Sequence, residues 1–268
     1  MAKYFTYNDN MIGFNFSKTK QPDPKFFQMH MHDFCEIYYF IGGQGIYKIE
    51  GSEYQLKSGD ILIMRPTEAH YIDLQKGFDY TRMSIHFNTN TFKSIDNNND
   101  ILEPFFNRDV GKFNLYRSTD FSSSTHRYLL DNLITNSENP KIQIYSNLFA
   151  LLNEIHTAFQ NRNSCTSTET LSYDIISYIN RHIFEDINLD SVCKRFYISK
   201  SHLCRIFKES TGSTVAKYIS VKRLLTAKQM IIQGENPTKV AFDTGFKDYS
   251  VFYRNFKKQF GTSPSSLE

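Results

Sequence analysis

The run Val240-Ala-Phe-Asp-Thr-Gly-Phe-Lys-Asp-Tyr-Ser-Val-Phe-Tyr-Arg-Asn-Phe-Lys-Lys-Gln-Phe-Gly-Thr-Ser-Pro264 is the most informative part of this 268-residue chain. Part of it occurs twice. Leu203-Cys-Arg205-Ile-Phe207-Lys208 with a following Gly212-Ser-Thr matches Phe252-Tyr-Arg254-Asn-Phe256-Lys257 with a following Gly261-Thr-Ser, at an offset of 49 residues. Each copy follows a short apolar stripe at helical spacing, Leu189/Val192/Cys193/Phe196 in the first case and Val240/Ala241/Thr244 in the second. A short helix, a tight turn and a second helix with an apolar inner face make a helix-turn-helix.

In each second helix the residues three and four apart, Leu203/Ile206/Phe207 and Phe252/Phe256, face the core, which fixes the opposite face. That face presents Lys200, Ser201, Cys204, Arg205 and Lys208 in the first copy, and Tyr249, Ser250, Tyr253, Arg254 and Lys257 in the second. These are the candidate DNA-binding residues. An Arg fork suits bidentate contact with guanine, and Ser, Tyr and Lys suit phosphates or thymine methyls. A single hairpin of this kind is equally an ordinary piece of a helical bundle with a solvated basic face; duplication argues for DNA. An intervening helix of ~16 residues, ~24 Å long, can set the two second helices into successive major grooves ~34 Å apart. The charge is divided in the same sense: residues 169–268 carry 15 Lys+Arg against 10 Asp+Glu, net +5, and residues 1–168 carry 16 against 18, net −2. A basic excess on one segment is the footprint of a polyanion binder.

Working toward the N-terminus, helical spacing predicts segments near 170–183, 189–196, 200–209, 215–233, 237–244 and 249–259, with Ser199 and Asp248 as N-caps and Gly212, Gly234 and Gly245 at helix ends or turns. The polar run 161–168 has linker composition. Before it, Leu129, Leu130, Leu133 and Ile134, then Leu148, Leu151, Leu152 and Ile155, mark two helices between 122 and 160 separated at Pro140. From Phe26 to about Phe113 short runs rich in Tyr, Phe and Ile (36–41, 45–50, 60–64) alternate with Gly-containing turns, the rhythm of a β-sandwich or small barrel. The expected division is a barrel over 1–120, a helical element over 121–160, a linker over 161–169 and an all-α domain over 170–268.

Within the barrel, His30-x-His32-x3-Glu36, then Gly59, Pro66 and His70, has a spacing that resembles the cupin pattern. If 30 and 32 share one face of a strand, the three histidines and Glu36 can share iron, manganese, nickel or zinc; the same groups can instead hydrogen-bond an organic ligand with no metal. Tyr38, Phe40, Tyr47 and Tyr71 are either a lining that stacks on a sugar ring or simply core. His30, His32, Glu36, Tyr38 and His70 are the candidate ligand-binding residues.

Residues 170–268 resemble the AraC/XylS family of regulators, through Ser199-Lys-Ser-His-Leu-Cys-Arg-Ile-Phe-Lys208, the pattern Tyr218-x4-Arg223-x3-Ala227 and the 240–264 run. The family's base-contacting positions fall on Ser201, Cys204, Arg205, Tyr249, Ser250 and Arg254. Two departures are Cys193, where the family usually has Ala, and the ending Ser265-Ser-Leu-Glu, which lacks the family's common Tyr-Arg. The resemblance implies an α+β chain, a cupin-like sensor barrel with a helical pair ahead of an all-α domain holding two helix-turn-helix units. It implies a cytoplasmic transcriptional activator, with double-stranded DNA, a small effector such as a sugar, a second copy of itself through the helical pair, and RNA polymerase as partners. No resident cofactor and no enzymatic activity are expected; the competing class is a cupin metalloenzyme with an accessory helical domain. The cysteines at 35, 165, 193 and 204 lack metal or disulfide spacing and read as reduced thiols, with Cys204 a small groove-facing residue rather than a redox sensor. No basic leader precedes an apolar run and no stretch of about 18 apolar residues occurs, so no membrane segment is expected.

Overall fold

A computed structural model describes residues 3–98, 100–135, 137–162 and 170–267. Most of the expected linker, and Cys165 within it, therefore lie outside the described residues. The front half holds β1 (Lys3–Asn8), β2 (Ile12–Thr19), β3 (Cys35–Gly42), β4 (Gly45–Ile49), β5 (Ser52–Gln55), β6 (Asp60–Met64), β7 (His70–Leu74), β8 (Tyr80–Phe87), a short α1 (Glu103–Phe106) and β9 (Leu115–Tyr116). The strands form two antiparallel sheets, one in the order β1-β2-β8-β3-β6-β9 and one in the order β5-β4-β7. Strands β1 and β2 lie ahead of the Phe26 start expected from sequence; β1 is an edge strand, which joins the sheet only through β2.

Alternation along each strand sends side chains to opposite faces. On β3, Tyr38 and Phe40 meet Tyr47, Ile49, Ile72 and Leu74 of the small sheet to form the interior between the two sheets. Cys35, Ile37 and Tyr39 face the other way, onto a second core shared with α2 (Thr125–Leu133) and α3 (Pro140–Gln160). The Leu/Ile stripes of that helical pair are thus spent on the large sheet of their own chain. The β4–β5 hairpin turns through Glu50 (φ 49°) and Gly51 (φ 84°), both left-handed, as the twist of a two-residue hairpin demands.

The C-terminal half is helical: α4 (Leu171–Arg181), α5 (Leu189–Phe196), α6 (Lys200–Thr211), α7 (Val215–Ile232), α8 (Pro237–Asp243) and α9 (Tyr249–Phe260). Ser199 caps α6 by accepting from the His202 N–H, and Asp248 caps α9 by accepting from the Val251 N–H. Both helices end on left-handed glycines, Gly212 (φ 70°) and Gly261 (φ 74°). The first unit packs around Leu203, Phe207 and Tyr218, the second around Leu224, Ala227, Phe252 and Phe256.

The two halves meet at a buried carboxylate. Glu50, 2% exposed, accepts from the Ala69 N–H (2.6 Å), pairs with Lys222 Nζ of α7 (2.6 Å), and accepts from Asn180 Nδ2 of α4 (3.0 Å) and from the Tyr218 hydroxyl. The left-handed turn conformation aims this side chain at the helices.

Candidate nucleic-acid interface and sensor cluster

In α6, Leu203 and Phe207 are fully buried while Lys200, Ser201, Cys204, Arg205 and Lys208 are exposed. In α9, Phe252 and Phe256 are fully buried and Ser250, Arg254 and Lys257 are exposed. Tyr249 and Tyr253 are intermediate, and Tyr249 packs against the second core, so only part of its ring is left to the outer face. Arg205 lies 3.6 Å from Glu209 and Lys200 lies 3.7 Å from Asp190, both exposed pairs of small energetic value. Lys208, Arg254 and Lys257 have no ion-pair partner among the described residues.

The linking helix α7 runs 18 residues, about 27 Å at 1.5 Å per residue. Its Arg223 ties the pieces together: Nε donates to the Ile183 carbonyl (2.7 Å), one terminal nitrogen to the Glu185 carbonyl (2.6 Å) and the other to the Gly245 carbonyl in the turn of the second unit (2.6 Å). Gly245 is left-handed (φ 85°), and a Cβ there would stand 2.5 Å from the Phe184 carbonyl oxygen, so only glycine fits. In the first unit Tyr197 takes the corresponding left-handed turn position, a residue sequence reasoning passed over.

The sensor residues converge, by a route other than expected. His30 and His32 do not lie on a strand. They sit in an extended segment before β3 whose backbone meets the barrel through the reciprocal His30–His70 pair (both 3.1 Å) and the Thr67 N–H to the His32 carbonyl (2.8 Å). A bend at Asp33–Phe34, where His32 Nδ1 meets the Phe34 carbonyl (3.0 Å), separates the segment from β3. Ligating atoms of His30, His32, Glu36 and His70 nevertheless lie within 4.8 Å of one another. Glu36 Oε2 receives His32 Nε2 at 2.9 Å and His70 Nε2 at 3.1 Å, and Oε1 lies 3.4 Å from His86 Nε2. His86 was missed in the sequence. It faces Glu36 directly across the β3–β8 ladder, a pairing over 50 residues that no local spacing reveals.

Burial opposes the Glu36 charge, but hydrogen bonds from His32, His70 and His86 hold its carboxyl well below the usual range. Burial lowers His32, and it lowers His30 together with the adjoining His70. For His70 burial is outweighed by Glu36, which raises it. Behind His70, the Glu68 carbonyl accepts from His70 Nδ1 (2.8 Å), and the buried Glu68 carboxylate is held by Arg108 (2.7 Å), which brings it down to about 2.

Of the two readings of the aromatics, core packing is the one three of them take. Tyr38, Phe40 and Tyr47 fill the interior between the sheets, and the Tyr38 hydroxyl, 2.6 Å from that of Tyr80, has a partner inside the core. Tyr71 points out of the sheet, where its hydroxyl donates to the Glu209 carbonyl of α6 (3.1 Å). On β7 odd positions face away from the interior, so Tyr71 and His70 cannot share a site face.

A double helix-turn-helix with matched basic outer faces, docked to a two-sheet sensor, defines a DNA-binding transcriptional regulator with a ligand-binding domain. Residues 16–167 match the AraC-like ligand binding domain family and residues 192–268 match a helix-turn-helix domain family. The chain belongs to the AraC/XylS family of transcriptional regulators. Relatives of similar length include the HTH-type transcriptional activator RhaS of Escherichia fergusonii, 23% identical over 90% of this chain and 87% of that protein, and that of Mannheimia succiniciproducens, 25% identical over 90% and 89%. Among solved structures, fatty-acid-bound ToxT from Vibrio cholerae is 14% identical and covers 97% of this chain and 95% of its own, with a TM-score of 0.42. Among the described residues no helix is long and apolar enough to cross a membrane.

Proposed function

We propose that this protein is a cytoplasmic transcriptional activator that reads promoter DNA with α6 and α9 and is controlled by a small effector held in its sensor. The observation that carries the reading is the duplicated outer face: Arg205 and Arg254 occupy equivalent, exposed positions, one turn after Ser201 and Ser250, on helices whose opposite sides are fully buried. Lys200, Lys208 and Lys257 flank them as phosphate contacts, with Cys204, Tyr249 and Tyr253 as apolar or hydrogen-bonding neighbours. The division of labour is a sensor over 1–120, a helical element over 121–160 and a DNA-binding module over 170–268. Activation is supported by the activator relatives, and carbohydrate is the effector class that the family resemblance implies. Homodimerisation uses the outer side of α2 and α3, where Tyr128 and Ile142 are exposed, since the inner stripes are already covered; contact with RNA polymerase follows from activation.

The test is fluorescence anisotropy of the purified protein on the DNA upstream of its own gene, across a salt series, with and without a panel of sugars. Specific binding outlasting non-specific binding by about three decades or more supports the reading. An equal affinity for random DNA at every salt overturns it.

A further inference from the structure

The extended segment Gln28–Asp33 has two faces with different neighbours. His30 and His32 turn toward Glu36 and His70. The residues between them turn the other way: Met29 and Met31 pack into the core of the first helix-turn-helix unit. A Cβ on Gly212, the cap of α6, would lie 2.9 Å from Met29 Cβ. Asp33 continues the pattern, its carboxylate 2.7 Å from Lys228 Nζ and its carbonyl accepting from Gln229 Nε2 (3.2 Å), both on α7. One short strap thus carries two sensor side chains on one side and the DNA-binding module on the other.

The sensor side is built as a ligating set. In all three histidines Nδ1 meets a backbone carbonyl, of Gln28 for His30 (3.0 Å), of Phe34 for His32 (3.0 Å) and of Glu68 for His70 (2.8 Å). A carbonyl on Nδ1 orients each ring and leaves Nε2 as the ligating nitrogen, where an ion would take the place of the proton that His32 and His70 now give to Glu36. For His32 and His70 that Nε2 is aimed at Glu36. Ligands ~2.1 Å from a common ion stand at most ~4.2 Å apart, so a set already within 4.8 Å closes on an ion with small movements. Three imidazoles and one carboxylate suit a divalent transition metal rather than calcium or magnesium. A groove of about 360 Å³ is bordered by Asn8, Asn15, Phe34 and His86 among others, and His86 Nε2 lies 3.4 Å from Glu36 Oε1.

We infer that His30, His32, Glu36 and His70 bind a divalent transition-metal ion and that its occupancy is read by the DNA-binding module through the Gln28–Asp33 strap. Two ligands come from the strap and two from strands of the two sheets, Glu36 on β3 and His70 on β7, so the ion clamps the strap to both sheets. Met29, Met31 and Asp33 then hold α6 and α7 in one placement; without the ion the strap and the module shift together. The readout half of this inference rests on the DNA-binding role proposed above, and the metal half does not.

The full-length protein is stripped with chelator and offered Zn²⁺, Mn²⁺, Fe²⁺ or Ni²⁺ singly. Bound metal is measured by elemental analysis and DNA affinity by anisotropy on the upstream fragment. About one equivalent of at least one of these ions is expected on the wild type, weakened on the order of ten-fold or more in His30→Ala and in Glu36→Gln. Metal is expected to change specific DNA affinity by about five-fold or more in the wild type, and Asp33→Ala is expected to keep the metal while losing most of that change. Failure of the wild type to retain any of the four ions overturns the site. Equal DNA affinity with and without bound metal overturns the readout and leaves the regulator standing, whereas loss of all sequence preference in both states strikes the DNA-binding proposal alone.

Discussion

The two helix-turn-helix units share a sequence pattern, N-caps and glycine C-caps, yet their cores end differently. The second closes on itself: every side chain of its cluster comes from residues 224–267. The first does not, because Ala69, Met29 and Met31 of the sensor complete its core and Tyr71 reaches the end of α6. The linking helix divides in the same way. Its first half carries Tyr218 and Lys222, which hold Glu50, and from its second half Lys228 and Gln229 bond to Asp33 of the sensor. A repeat that looks symmetric in sequence is therefore asymmetric in the fold. One unit is positioned by the sensor, and the other is positioned by the first through α7 and the Arg223 clamp.

Core truncation tests this contrast with the largest expected effect. Phe207→Ala and Phe256→Ala each remove a fully buried ring, at roughly 3–5 kcal/mol. In urea unfolding, Phe256→Ala is expected to lower only the transition of the second unit, while Phe207→Ala loosens the sensor contact as well and shifts both. Identical profiles for the two variants would mean that the units are equally coupled to the sensor.

Next in size is the junction itself. Glu50→Ala leaves the buried Lys222 ammonium without its carboxylate, with Asn180 Oδ1 and the Tyr218 ring as neighbours, and frees the Ala69 N–H, at a cost of roughly 3 kcal/mol. The expected signature is separation of the sensor and module in small-angle scattering, with the helical content of circular dichroism preserved. A Glu50→Ala protein as compact and as stable as wild type would show that apolar packing at Met29 and Met31 suffices to dock the halves.

On DNA, Arg205→Ala and Arg254→Ala are each expected to cost about 1–3 kcal/mol of specific binding with unchanged thermal stability, since each removes an exposed fork and no core atom. The asymmetry sharpens this: if the sensor positions the first unit alone, an effector's influence on affinity should shrink in Arg205→Ala and persist in Arg254→Ala. Unchanged affinity in both variants would sink the assignment of the outer faces.

What the sequence disclosed follows the range of the interactions involved. Helix bounds, the caps Ser199 and Asp248 and the buried faces of α6 and α9 depend on residues within four positions, and they lie close to where spacing puts them. Sheet order depends on partners far apart. The β2–β8 and β3–β8 ladders join residues tens of positions away, so His86 opposite Glu36 and the edge pair β1–β2 could not be seen. Glu50 is the extreme case: its partners Asn180, Tyr218 and Lys222 lie 130 and more positions downstream, and nothing in the run Lys48-Ile-Glu-Gly51 marks it as anything but a turn. The convergence of His30 and His32 was legible as alternation, but alternation arises in any extended segment, and a strand was the wrong source for it.

The smallest effect lies in the caps, where the comparison between units is cleanest because the two sites are locally alike. Ser199→Ala and Asp248→Ala each remove the acceptor for one N–H at the start of a helix, worth about 1 kcal/mol. Within the second unit that loss has no outside support, so amide exchange at Tyr249–Val251 should accelerate. The sensor meets α6 at Glu209 and Gly212, near its C-terminal end and well past its first turn. Fraying at Lys200–His202 should therefore match that in α9, even though the C-terminal turns of the two helices differ in protection. Faster exchange in α9 than in α6 after cap removal would extend the sensor's support to the whole of the first recognition helix, including the end that carries Lys200 and Ser201.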